Sequence, residues 1–101
     1  MNLNRQAQLD EMYEAARNIS AIAEEYNISY RKIYSITNND LKNAWVGQDS
    51  DSFISKMNSV QVKFEKMYDI MIDYKQFILD AATRYEQQMN ENKDLAQKLD
   101  F

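Results

Sequence analysis

The chain has 101 residues and a net charge of −4, with no cysteine, no histidine, no proline and a single glycine, Gly47. That length carries one small domain at most, and the missing residue types remove disulfide staples, thiolate and imidazole metal ligands and the commonest general base. The lack of breakers argues against a sheet-rich or loop-rich fold and for a few long helices.

Charge is spread evenly. Residues 1–50 hold 5 basic and 7 acidic groups and residues 51–101 hold 7 and 9. With no basic block, neither nucleic acid nor an anionic membrane is the expected partner. Met1 to Asp10 offers no apolar stretch for a cleaved signal peptide, and no run approaches the length of a membrane span. The expectation is a chain made in the cytoplasm that leaves, if it leaves, by a route other than the usual cleaved signal.

The first predicted element is a helix near residues 6–43. Leu9, Met12, Ala16, Ile19, Ala23, Tyr26, Tyr30, Ile33 and Thr37 follow one another at steps of three or four, the spacing of a seam along one helix. Ile22 and Ile36 widen that stripe, as a bundle helix requires. Tyr26, Tyr30 and Tyr34 stand one turn apart, and tyrosine suits an interface because it buries area while its hydroxyl stays wet.

A turn is predicted over 44–49. Gly47 has access to the left-handed backbone that ends a helix, and Asp49, Ser50 and Asp51 are N-cap candidates for the next helix. A turn this short places the two helices side by side and antiparallel.

The second helix is predicted near 50–92. Its seam runs Phe53, Met57, Val60, Phe64, Met67, Met71, Tyr74, Ile78, Ala81, Tyr85, with Ile54, Tyr68, Ala82 and Met89 on one flank and Ile70 and Phe77 on the other. An arc this broad exceeds what one neighbouring helix covers. In a lone hairpin Ile22, Tyr68, Ile70 and Phe77 would stay wet, and such a patch usually marks an interface. The fold class expected is therefore all-α: an antiparallel two-helix hairpin that pairs with another into a four-helix bundle with two-fold symmetry. Residues 93–101 read as a frayed tail.

Enzyme chemistry finds no support. Glu65, Asp69 and Asp73 form an acidic row, but a helical di-iron site also needs histidine, and a solvated face is the better reading. Asp49 and Asp51 lack the rest of a calcium loop. There is no phosphate-cradling loop and no nucleophile–base pair. The chain is read as a non-enzyme with no cofactor, no metal and no small-molecule substrate. Met57, Met67 and Met71 read as ordinary core rather than an adaptable binding surface.

Trp45-Val46-Gly47 is a Trp-x-Gly tripeptide midway between two amphipathic helices, with Phe53 eight residues after the tryptophan. Across nearly its whole length the chain resembles the WXG family of small type VII secretion substrates, the relatives of the early secreted antigenic target of mycobacteria. The resemblance implies a helical hairpin, dimerisation into a four-helix bundle and export of the folded protein by a membrane ATPase complex. It also implies that Trp45, Gly47 and Phe53 form the turn motif. Leu9, Met12, Ile19, Tyr26, Tyr30, Ile33, Met57, Val60, Phe64, Met67, Met71, Tyr74 and Ile78 are the candidate core or interface seam.

The family's export signal, Tyr-x-x-x-Asp/Glu near the end of the second helix, is not reproduced. Tyr85 is followed four residues later by Met89, and Glu86 is the neighbouring acid; a looser alignment takes Ala82, Glu86, Met89 and Lys93. Tyr85, Glu86 and Met89 are the candidate export region. Three readings stand: a homodimeric secreted substrate or effector, a helical partner or targeting chaperone for a larger LXG-type toxin of the same system, or a cytoplasmic structural coiled-coil adaptor. The expected partners are a second copy or a related helical protein, and the secretion ATPase.

Overall fold

The structure is a computed structural model that describes residues 2–99. Two long stretches free of proline and glycine fold as two long helices. Helix α1 spans Asn2–Ser35 and passes through a six-residue π-helical segment, Ile36–Leu41, into the short α2, Lys42–Ala44. Helix α3 runs Gln48–Leu99. Among the described residues only 45–47 fall outside a helix.

The turn is thus tighter than the predicted 44–49, and both helices are longer than expected. Instead of fraying over 93–101, α3 continues to Leu99; residues 100 and 101 lie outside the described residues. Asp94 stands four residues before Lys98, the acid-before-base order that supports a helix. Lys98 in the last turn also meets the negative end of the helix dipole. At its other end α1 already begins at Asn2.

The molecule measures 83 × 18 × 14 Å with a radius of gyration of 23.0 Å. A compact domain of this length would have a radius near about 13 Å. The cross-section is that of two helices side by side, so each helix has one face on its neighbour and the rest outward. Among the described residues, no helix is long and apolar enough to cross a membrane.

Burial shows which residues face the neighbouring helix. On α1 and its extension they are Leu9, Met12, Ala16, Ile19, Ala23, Tyr26, Tyr30, Tyr34 and Thr37. On α3 they are Ile54, Met57, Gln61, Phe64, Tyr68, Met71, Lys75, Ile78, Ala82, Tyr85 and Met89, all at helical steps of three or four. Two stretches correct the sequence seam. Tyr34 stands in for Ile33 on α1, and on α3 Ile54, Gln61, Tyr68, Lys75 and Ala82 stand in for Phe53, Val60, Met67, Tyr74 and Ala81, each one residue further along.

The physical reason is that facing the neighbour does not require an apolar head group. Lys75 and Gln61 are both half-buried; a long polar side chain can cover apolar surface with its stem while its head group stays in water. An apolar-only pattern skips both and settles one residue early.

Candidate functional site

The turn occupies residues 45–47, between α2 and α3. Trp45 leaves the helical conformation for extended backbone, φ −120°, ψ 102°, and its N–H donates to the Leu41 carbonyl at 2.8 Å. Gly47 then takes φ +149°, a backbone that side chains rarely adopt. A Cβ there would meet nothing within 4 Å, so the demand for glycine is conformational and not steric. The Asp51 N–H donates to the Gly47 carbonyl at 3.0 Å, opening α3.

Asp49, Ser50 and Asp51 were candidate N-caps; α3 starts earlier, at Gln48, and places Asp49 and Asp51 within its first turn. Their carboxylates still sit at the positive end of the helix dipole. Ser50 works in the opposite sense from an N-cap. Its buried hydroxyl donates to the Trp45 carbonyl, which the chain reversal would otherwise leave unpaired. The Trp45 and Phe53 rings pack at 6.0 Å with planes tilted by 43°. The structure therefore brings Trp45, Gly47 and Phe53 together, with Trp45, Val46 and Phe53 exposed at the tip.

One step inward lies an aromatic cluster. Phe64 of α3 packs against three tyrosines of α1, with ring centroids 6.4 Å from Tyr26, 6.1 Å from Tyr30 and 5.9 Å from Tyr34. The Tyr26 hydroxyl donates to the Phe64 carbonyl at 3.0 Å and the Tyr34 hydroxyl to the Met57 carbonyl at 2.7 Å. Loss of hydration pushes both phenols above the usual tyrosine range, and at Tyr34 the negative charge of Glu65 adds to it. These bonds tie side chains of one helix to the main chain of the other and so fix the register between them.

A second apolar surface lies beside this seam. Ile22, Ile33 and Ile36 are exposed on the first helical stretch, and Met67, Ile70, Tyr74 and Phe77 on α3, Phe77 by 66%. All seven stand one residue before a residue that faces the other helix: Ile22 before Ala23, Ile33 before Tyr34, Ile36 before Thr37, Met67 before Tyr68, Ile70 before Met71, Tyr74 before Lys75, Phe77 before Ile78. In an antiparallel pair a one-residue offset in the same sense on both helices points to the same side. A shallow groove confirms it, with Met12 and Ala15 of α1 forming one wall and Phe77, Ile78 and Ala81 of α3 the other.

The candidate seam thus divides in two. Leu9 and Tyr30 are buried within the hairpin; Met12, Ile19, Tyr26, Met57, Val60, Phe64, Met71 and Ile78 are half-buried; Ile33, Met67 and Tyr74 belong to the outer face. In the candidate export region Tyr85 and Met89 are half-buried against α1 and Glu86 is exposed.

Two contacts here escaped the sequence. The Tyr13 hydroxyl donates to Glu86 at 2.8 Å and the Tyr85 hydroxyl to Gln8 at 2.9 Å. The first of these bonds, with the negative charge of Glu86, holds the Tyr13 phenol above its usual range. Partners separated by more than 70 residues leave no local signal. Tyr34, by contrast, lay one turn beyond Tyr30 and was open to the periodicity. Glu65, Asp69 and Asp73 are exposed, and among the described residues no acidic cluster is placed to hold a metal ion.

Comparison with known proteins places residues 5–90 in the family WXG100, described as proteins of 100 residues with WXG. No curated protein and no solved structure matched the chain.

Proposed function

From the premise that the chain belongs to the WXG100 family, whose members are small secreted helical proteins of type VII secretion systems, we propose that it acts as a homodimeric secreted substrate. Two hairpins join through the outer face of Ile22, Ile33, Met67, Ile70, Tyr74 and Phe77 to form a four-helix bundle. The observation that carries this is the one-sided placement of those residues. A hairpin of two-helix cross-section leaves these apolar side chains wet, and an identical hairpin supplies a matching set to cover them. The secretion ATPase is the second partner, engaging the folded bundle before export.

Sedimentation equilibrium tests the pairing. The wild-type chain is expected at twice 12.0 kDa. Phe77→Asp is expected to shift it to monomer by placing a charge in an apolar contact, with helical circular dichroism kept because Phe77 lies outside the hairpin's own seam. A wild-type monomer at every concentration, or a variant that stays dimeric, overturns the homodimer. In the native host, loss of the secretion ATPase is expected to abolish the extracellular protein, and an unchanged extracellular amount refutes export by this route.

One observation favours the chaperone reading as a second possibility: the chain lacks a Tyr-x-x-x-acid signal. Recovery of a larger toxin with the tagged chain from its host would decide for that reading.

A further inference from the structure

The tight part of the hairpin ends abruptly at its open end. Among the residues whose exposure is described, Leu9 and Ala82 are the last buried on each helix, at 3% and 0% exposure. On α1, residues 4–8 are all exposed, and on α3 so are residues 90–99. At this edge stand the two bonds already described, Tyr13 to Glu86 and Tyr85 to Gln8.

The arrangement is reciprocal, since each helix supplies one tyrosine as donor and one side-chain oxygen as acceptor. The bonds also flank the seam. Gln8 stands one residue before the inward Leu9 and lines the groove of the outer apolar face. Tyr13 stands one residue after the inward Met12, on the opposite side. A splaying of the helix ends in either direction therefore strains one of the two.

We propose that these four side chains are a clasp for the open end of the hairpin, and that its closed state withholds Tyr85 and Glu86 from a partner. The phenol of Tyr85 is occupied by Gln8 and the carboxylate of Glu86 by Tyr13. Neither pair is buried, so each bond competes with water and is individually weak. No buried side chain beyond Leu9 reinforces them among the residues whose exposure is described. A local opening of this end leaves the aromatic cluster intact, because that cluster lies many turns away toward the loop. Opening frees the start of α1 and presents Tyr85, Glu86 and Met89 on a single helix continuous with the exposed Leu95 and Leu99. The withholding role rests on the export reading; the clasp itself does not.

Hydrogen exchange on the purified full-length chain tests the clasp. The double variant Gln8→Ala, Tyr13→Phe is expected to speed amide exchange in residues 4–16 and 79–92 about tenfold, the effect of removing two modest hydrogen bonds. Exchange from Ala44 to Met57 is expected to stay as in the wild type. Glu86→Gln keeps an acceptor for Tyr13 and is expected to stay within about twofold of the wild type. Unchanged exchange at the open end, or a uniform rise along the whole chain, overturns the clasp.

Export from the native host then tests the withholding. The double variant is expected to raise the ratio of extracellular to intracellular protein at least twofold. An unchanged or lowered ratio in a variant whose open end exchanges faster overturns the withholding while the clasp stands. A wild-type chain that never leaves the cell defeats the export reading, and the withholding falls with it.

Discussion

The two ends of the hairpin are joined in different ways. Near the turn, tyrosine hydroxyls of α1 donate to main-chain carbonyls of α3, rings pack on Phe64, and a buried serine closes the reversal. At the open end the links are side chain to side chain and exposed. A main-chain acceptor is held in place by its helix, whereas a glutamine or glutamate must give up rotamer freedom to serve as one. Stability is accordingly expected to fall from the turn toward the open end, which puts the weaker end beside the residues read as the export region.

Substitutions at the two ends give the sharpest break of that comparison. Phe64→Ala removes the ring that touches three tyrosines and is expected to cost about 3 kcal/mol in urea unfolding at fixed protein concentration. Tyr85→Phe at the open end is expected to cost less than about 1 kcal/mol. Equal costs would refute the gradient.

Gly47→Ala forces a Cβ onto a positive φ and is expected to cost about 1–2 kcal/mol, with no added penalty from crowding, since the site is open. Ser50→Ala leaves the Trp45 carbonyl without its partner and is expected to cost about 1 kcal/mol. A neutral result at Ser50 would mean that the aromatic contact of Trp45 with Phe53 holds the reversal without it.

The smallest effect at neutral pH appears only in alkali. Tyr13, Tyr26 and Tyr34 all titrate higher in the fold than in the unfolded chain. Their contribution is complete below the ordinary tyrosine value of about 10 and is lost as pH rises through the shifted values. Thermal melts between pH 8 and pH 11 are expected to show falling stability only in the upper part of that range. Tyr26→Phe with Tyr34→Phe is expected to flatten the fall, and an undiminished slope would assign it elsewhere.

Much of this was legible in the chain itself. A lone glycine after tryptophan between two periodic stretches is enough to place the turn, because only glycine enters that backbone without strain. The periodicity also put Phe64, Tyr26 and Tyr30 in one seam, as candidate core or interface. Met67 and Tyr74, which it put in the same core or interface seam, stand one residue before the residues that face the other helix, because a hydropathy pattern treats lysine as outward while Lys75 is half-buried. It took Ser50 for an N-cap, since a serine near a helix start is the same signal whether its hydroxyl accepts from the new helix or donates back to the old one.

What the sequence alone determined, then, is helical class and hairpin, which follow from local periodicity and backbone preference, and the family, which rests on the resemblance carried by Trp45, Gly47 and Phe53. Which of two adjacent apolar stripes closes the hairpin, and which is left facing outward, was decided by tertiary structure. The two stripes differ by one residue on each helix, about 100° of rotation, and only the packing of one helix on the other chooses between them. The clasp of Gln8, Tyr13, Tyr85 and Glu86 was likewise hidden until the fold brought both ends of the chain together.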